Sequence, residues 1–255
     1  MYNPLFDVEG KIVLITGSGR GLGLAYAKGY LKAGATVILN STSAEKLAET
    51  VAMLRADGYN AYGYSFDVSD ENKVIEAIEE IENTIGPIDV LINNAGIHKR
   101  NMLINMSPNE WRKVIDVNLT SAFLVGQAVA RKMMVRGTGK IINITSLNAE
   151  LARANIANYS SAKGGLKMLT KSMATEWGPL GITCNAIGPG YIETDLTKPL
   201  VEDPKFDAWV KSEVPMGRWG KPEDIIGTAI FLGSAASDYI NGYTIYVDGG
   251  WQACL

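Results

Sequence analysis

Tyr159 and Lys163 stand four residues apart in Tyr-Ser-Ser-Ala-Lys, the spacing that puts two side chains on one face of a helix. A phenol beside an ammonium is an acid–base pair. A free Tyr titrates near ~10, so work at neutral pH requires a fall of roughly three units, or ~4 kcal/mol. One unit charge at ~4 Å in an effective dielectric of ~20 supplies about ~4 kcal/mol. The expectation is a Tyr159 hydroxyl whose pKa Lys163 lowers. In a chain with eleven Tyr the bare spacing carries little, because most such pairs lie on surface helices. The neighbourhood decides.

The apolar run Lys11–Thr16 leads straight into Gly17-Ser18-Gly19-Arg20-Gly21-Leu22-Gly23, and Ala25 to Leu31 reads as the first turns of a helix. Strand, glycine turn and helix form a cradle for a dinucleotide phosphate. Gly17 allows the tight turn, Gly21 lets the backbone approach a pyrophosphate, and the helix N-terminus offers free N–H groups. Further on, Asn93-Asn94-Ala95-Gly96 follows another apolar run, and Asn118 falls within a helical stretch. Ser146 ends a further run, thirteen residues before Tyr159.

Taken together these residues resemble the short-chain dehydrogenase/reductase family over essentially the whole chain. Thr16-Gly-x-x-x-Gly-x-Gly23 matches its coenzyme motif, and Asn93 to Gly96 its structural motif. Asn118, Ser146, Tyr159 and Lys163 match its catalytic tetrad in order and spacing, and Gly188-Pro189-Gly190 with Thr194 its nicotinamide segment. The resemblance implies a nicotinamide coenzyme and hydride transfer between a secondary alcohol and a ketone. It casts Tyr159 as acid–base, Lys163 as a ligand of the nicotinamide ribose, and Asn118 as holder of a relaying water. Ser146 would donate to the carbonyl oxygen as charge develops. Asn94, Ala95 and Gly96 would floor the ribose sites, and Asp67 with Val68 would meet adenine. Pro189, Gly190, Ile192 and Thr194 would hold the nicotinamide half. Read alone, Asn118 is a helix-interior amide, Ser146 a strand-end hydroxyl and Asp67 a helix N-cap.

An acid at the end of the second strand would bind the adenosine ribose diol and repel a 2′-phosphate. This chain has Asn40-Ser41-Thr42-Ser43 there, and Arg20 inside the glycine loop. Both favour NADP(H) over NAD(H), which stays possible. Thr42 with Glu45 also reads as a capping box, and Lys46 is the nearest basic residue.

The stretches Asn93–Arg100, Ser146–Arg153, Thr197–Asp203, Gly217–Gly220 and Val247–Trp251 resemble the gluconate 5-dehydrogenase group. The last, with Asn241-Gly-Tyr-Thr, also resembles 2-deoxy-gluconate 3-dehydrogenases. Either implies a sugar-acid substrate, for which Arg100 would supply a cation and Glu150 hydrogen bonds. The plainer readings are a solvated loop charge and an interface residue. An acyl-carrier β-ketoacyl reductase shares the scaffold but would be expected to carry a basic docking patch. A non-catalytic coenzyme-binding regulator is a further alternative, against which the intact tetrad argues.

These groups need a frame. Strands are expected over Lys11–Thr16, Thr36–Asn40, Asn60–Phe66, Ile88–Ile92, Lys140–Thr145, Ile182–Ile187 and Thr244–Val247, alternating with longer amphipathic stretches. That order predicts one Rossmann-like, doubly wound α/β domain over 1–255, a seven-stranded parallel sheet with helices on both faces. Ser107-Pro-Asn-Glu110 announces a helix running to about Arg136. The proline-punctuated stretch at about 190–221 reads as a lid or a subunit contact.

With 255 residues and 47% hydrophobic content the chain can fill such a core. A net charge of −3 with no Lys/Arg stripe argues against nucleic acid as a partner. Cys184 and Cys254 read as two free thiols. No signal peptide or membrane-length apolar run appears, so a soluble cytoplasmic protein is expected. The single histidine, His98, excludes a metal site of two histidines and reads as a partly exposed loop residue; no metal is expected. The family is mostly tetrameric, which implies a homotetramer joined through the helices from Ser107 and Asn158. Ala122, Phe123, Ala130, Gly164, Gly165 and Leu169 would pack there, or in the subunit's own core.

Overall fold

The central strands have continuous apolar runs because both of their faces are covered. In the first strand, β1 (Ile12–Ile15), Val13 and Ile15 face one core while Leu14 faces the other. The same alternation recurs in β2 (Thr36–Ser41) and β4 (Val90–Asn93), and Leu91 and Ile38 join Leu14 on the second face. Strands β3 (Ala61–Ser65), β5 (Gly139–Ile144), β6 (Ile182–Pro189) and β7 (Thr244–Val247) complete the sheet. The computed structural model describes residues 4–194 and 197–254. All pairings are parallel, as the sequence predicts, and the order is β3-β2-β1-β4-β5-β6-β7.

One face is packed by α1 (Gly21–Lys32), α2 (Ala44–Ala56) and α9 (Pro222–Gly233). Gly29 takes Ile226 against its backbone, and the buried Tyr30 hydroxyl donates to Ala229 O at 2.6 Å. The other face carries α3 (Glu71–Thr84), α5 (Ser121–Arg136) and α6 (Ala157–Trp177), whose Ile78, Val125, Val129, Met133 and Met173 meet the sheet. Truncating one such buried Ile or Met to Ala costs about 2–5 kcal/mol.

The helix expected from Ser107 to Arg136 begins as predicted. Ser107 and Glu110 form a capping box at the start of α4 (Pro108–Ile115). It then changes pitch: Asp116–Thr120 is a π-helical turn before α5 resumes. Such turns recur at functional positions, and this one holds Asn118. Ala122 and Ala130 are buried in the subunit's own core, while Phe123 is exposed.

The stretch expected as a lid has its own small core. It contains α7 (Lys198–Val201) and α8 (Pro204–Glu213), which pack Val210, Val214 and Trp219 with Tyr191, Phe206 and Trp251. Its two ends are pinned together, Glu193 N donating to Gly220 O at 2.8 Å and Gly220 N to Tyr191 O at 2.9 Å. Cys184 is buried and Cys254 exposed, both free. No helix among the described residues is long and apolar enough to cross a membrane.

Candidate active site

The exits of β1, β4, β5 and β6 converge at the carboxyl edge of the sheet. Between β1 and β4 the strand order reverses, which is where open α/β sheets bind ligands. Gly17 and Gly21 there adopt φ of 63° and 59°, a region that side chains other than glycine rarely enter. A Cβ on Gly17 would lie 2.8 Å from the Ala95 Cα, and one on Gly23 would lie 2.5 Å from Gly17 O. A Cβ on Gly21 would meet open space, for Gly21 borders a cleft of about 370 Å³ shared with Glu193, Thr194 and Lys198. The residues therefore fit a coenzyme pyrophosphate: the glycines that must be bare against protein are inside the loop, and the one bare toward the cleft is at the helix start.

Polar side chains hold the loop in place. Thr16 Oγ1 accepts from Asn94 N at 3.0 Å and Ala95 N at 3.1 Å, and Asn94 Nδ2 donates to Thr16 O and Gly17 O, both at 3.0 Å. Ser18 is buried, donating to Ile15 O at 2.7 Å and accepting from Asn40 N at 3.0 Å. Asn40, expected to face the coenzyme, has its amide engaged in scaffolding. Its Oδ1 accepts from Gly17 N at 3.1 Å, and its Nδ2 donates to Tyr64 O and Phe66 O. Ser41, against Gly19, is what the end of β2 presents. The Thr42–Glu45 capping box does not form, since α2 starts one residue later with Ser43 as its N-cap. Arg20 is exposed at the start of α1, and Leu22 packs on the core behind it.

Asp67 is likewise not the N-cap of α3; Asp70 fills that place. Asp67 instead accepts from Ser69 N at 2.9 Å and Ser69 Oγ at 2.6 Å, bonds that hold its carboxyl below the usual range. Val68 is buried beneath it. Across the cleft, Gly190 N donates to Val247 O at 3.0 Å, Ile192 is buried, and Thr194 bonds with Thr197.

The four tetrad residues arrive on separate elements. Asn118, in the π-turn, donates to Ile97 O at 3.0 Å and Val114 O at 2.9 Å and accepts from Ile97 N at 3.2 Å. Gly96 must be bare there, because its Cβ would sit 2.7 Å from Asn118 Oδ1. Ser146 leaves β5 buried and accepts from Asn148 N at 3.1 Å. Tyr159 and Lys163 share one face of α6, and Ser146 lies near enough to act on the Tyr159 phenol. Lys163 Nζ donates to Ile144 O at 2.7 Å and lies 5.6 Å from the Tyr159 ring centre.

Burial governs their titration. It pushes Tyr159 up to about 12, with Ser146 acting the other way, and Lys163 down to about 8. The lowered phenol expected from the Tyr–Lys spacing is therefore not reached by the protein's own groups: desolvation outweighs the lowering effect of Ser146. His98 is the expected partly exposed loop residue, but it does not stand apart from the tetrad. It is half-buried, stacked on Tyr159 with ring centres 3.8 Å apart, and pushed down to about 4 by burial, with Arg100, Lys163 and Arg153 acting alike.

Arg100 is exposed on the same loop as His98. Glu150 is not gathered with it: its carboxylate accepts from Lys167, which lowers its pKa, and from the Tyr246 hydroxyl. Sequence reasoning missed a polar ladder behind the tetrad. Asn93 Nδ2 donates to Asn143 Oδ1 and Asn143 Nδ2 to Thr170 Oγ1, each at 2.9 Å, tying β4 and β5 to α6. An asparagine inside an apolar strand run was the signal.

A family profile described as enoyl-(acyl carrier protein) reductase matches residues 17–252. A 2-dehydro-3-deoxy-D-gluconate 5-dehydrogenase of Formosa agariphila is 48% identical over 98% of this chain and 96% of its own. A gluconate 5-dehydrogenase of Gluconobacter oxydans is 46% identical over 98% of each. The crystal structure of a gluconate 5-dehydrogenase from Burkholderia cenocepacia, in complex with NADP and tartrate, superposes with a TM-score of 0.96 at 46% identity over 99% of both chains. Fold, cradle, tetrad and whole-length relatives agree: the chain belongs to the short-chain dehydrogenase/reductase family.

Proposed function

We propose that this protein is an NADP(H)-dependent dehydrogenase interconverting a secondary alcohol of a sugar acid, gluconate, with the corresponding ketone, 5-ketogluconate. The observation that carries the chemistry is the Tyr159 phenol placed one helical turn from buried Lys163 and within the influence of buried Ser146, with the exposed Arg100 on the neighbouring loop. The relatives that act on gluconate, and the one that binds NADP and tartrate, support the substrate class and coenzyme.

Gly17, Gly19, Gly21 and Gly23 with the α1 N-terminus would hold the pyrophosphate, and Arg20, Ser41 and Thr42 the adenosine 2′-phosphate. Asp67 and Val68 would border adenine, and Ala95, Gly96, Pro189, Gly190, Ile192 and Thr194 the nicotinamide half. When bound, the nicotinamide exchanges the hydride and, oxidised, adds positive charge to the site. In reduction Tyr159 delivers its proton to the substrate carbonyl oxygen, a task its raised pKa suits; in oxidation it withdraws that proton. Ser146 donates to the same oxygen. Lys163 binds the ribose hydroxyls and biases Tyr159 toward its anion. Asn118, fixed by Ile97, keeps the relay behind Lys163 in place. Arg100 pairs with the substrate carboxylate.

The chain is further proposed to act in the cytoplasm as a homotetramer. The exposed Trp111, Phe123 and Met168 on α4, α5 and α6 support that assembly.

The test is coenzyme turnover on a panel of sugar acids, keto acids and acyl thioesters, repeated with Tyr159→Phe. Turnover by the variant should fall about 10²–10⁴-fold, with coenzyme binding retained by fluorescence titration. Near-normal turnover in Tyr159→Phe sinks the mechanism; indifference to every sugar acid sinks the substrate.

A further inference from the structure

Arg153 lies on the loop from β5 to α6, seven residues past Ser146 and half-buried. Its hydrogen bonds and ring contacts among the described residues all go to aromatic side chains of the 190–221 excursion. Nη1 donates to the Tyr191 hydroxyl at 3.2 Å, and the guanidinium lies 4.6 Å from the Phe206 ring centre and 5.9 Å from that of Trp209. Those rings are part of one cluster, with Tyr191 edge-on to Trp209 at 5.9 Å and to Trp219 at 5.5 Å and 5.0 Å from Trp251.

The loop carrying Arg153 is stapled to the loop carrying Arg100. Asn101 N donates to Asn155 O at 3.0 Å, and Asn158 Nδ2 to Lys99 O at 3.1 Å. Asn155 takes a φ of 68°, the only described non-glycine residue with a positive φ, so the backbone is held in an uncommon shape where the two loops touch. Both arginines act on His98, whose ring is stacked on Tyr159, and both act on Tyr191. No carboxylate among the described residues pairs with either one. Two guanidiniums on loops stapled together, with no counter-charge, repel each other, and an anion between them relieves both. A planar carboxylate matches the guanidinium fork.

We propose that Arg153 is a specificity-determining residue. The substrate carboxylate binds between Arg100 and Arg153, and the stack of Arg153 on Phe206 and Trp209 carries that binding into the excursion over the site. The proposal rests on the sugar-acid reading and adds a second cation to it, together with a physical link between carboxylate recognition and the aromatic cluster. A plain structural pin would look the same at rest, but it would not distinguish a charged from a neutral substrate.

The experiment compares gluconate with its neutral amide, gluconamide, in the wild type, Arg153→Ala and Arg153→Lys, all loaded with NADP. Arg153→Ala should raise the gluconate KM by about ten- to a hundredfold, with kcat little changed and gluconamide kinetics unmoved. Arg153→Lys keeps the charge but loses the fork, and should fall between. In parallel, tryptophan emission is followed while gluconate or tartrate is titrated. The wild type should show a saturable change, Arg153→Ala should lose it, and Arg153→Lys should show it at higher ligand concentration. Equal losses on gluconate and gluconamide, or an unchanged gluconate KM, would overturn the proposal. If gluconate is not turned over at all, the sugar-acid reading falls separately, and the emission titration still decides: equal responses to tartrate in the wild type and Arg153→Ala refute the arginine pair.

Discussion

Lys163 is 3% exposed, and among the described residues its ammonium has one hydrogen bond, to Ile144 O, so its cost to the fold can be worked out and measured. Burial lowers its amine from 10.5 to about 8. At roughly 1.4 kcal/mol per tenfold change, that is on the order of 3 kcal/mol. Below pH 8 both folded and unfolded chains carry the ammonium, so the folded state bears the whole desolvation penalty. Between about 8 and 10.5 the unfolded chain holds the proton and the folded chain does not, so stability rises with pH across that window. Lys163→Met removes the penalty and leaves the Ile144 carbonyl without its donor, a loss of about 1 kcal/mol. The variant should therefore be more stable than the wild type by about 2 kcal/mol at pH 7, although inactive. That advantage should shrink steadily above pH 8. Urea unfolding at fixed protein concentration, from pH 6.5 to 9.5, reads it directly. A variant less stable at pH 7, or a difference that stays constant with pH, would refute the burial argument.

Two other outcomes are expected. Arg20→Ala should raise the KM for NADP about tenfold, one charged contact to a phosphate, and leave that for NAD unchanged; a higher catalytic efficiency with NAD in the wild type would overturn the coenzyme preference itself. Sedimentation at micromolar concentration should give four subunits, and Trp111→Glu or Phe123→Glu should dissociate them; a stable monomer rejects the assembly.

The strands were legible because burial on both faces leaves a signal that needs no partner to read: Val13, Leu14 and Ile15 are apolar whichever way they point. The glycine cradle was legible because its requirements are local, a positive φ at Gly17 and Gly21. What failed to show were features set by distant groups. Tyr246 accompanies Glu150 from 96 residues away, and Asn40 reaches Phe66 across 26. A capping pattern at Thr42 lost to the start of α2 at Ser43, and the cap of α3 moved from Asp67 to Asp70. The Tyr–Lys spacing correctly placed both groups on one helix face. The direction of the phenol's shift depended on how deeply the helix sank, which spacing does not encode.

That depth gives the site a common character. Burial acts on Tyr159, Lys163 and His98 alike, and in each case it favours the neutral form. The phenol keeps its proton, the amine titrates just above neutrality, and the imidazole stays uncharged across the physiological range. The fixed charges near them are the arginines of the rim. Protonation at the reacting centre is therefore set by whatever charge enters with coenzyme and substrate, since in a desolvated site one added charge outweighs any small change in pH. A phenol that keeps its proton until a cationic nicotinamide arrives is an acid for reduction and becomes a base for oxidation. The same buried groups then serve both directions, with the redox state of the coenzyme choosing between them.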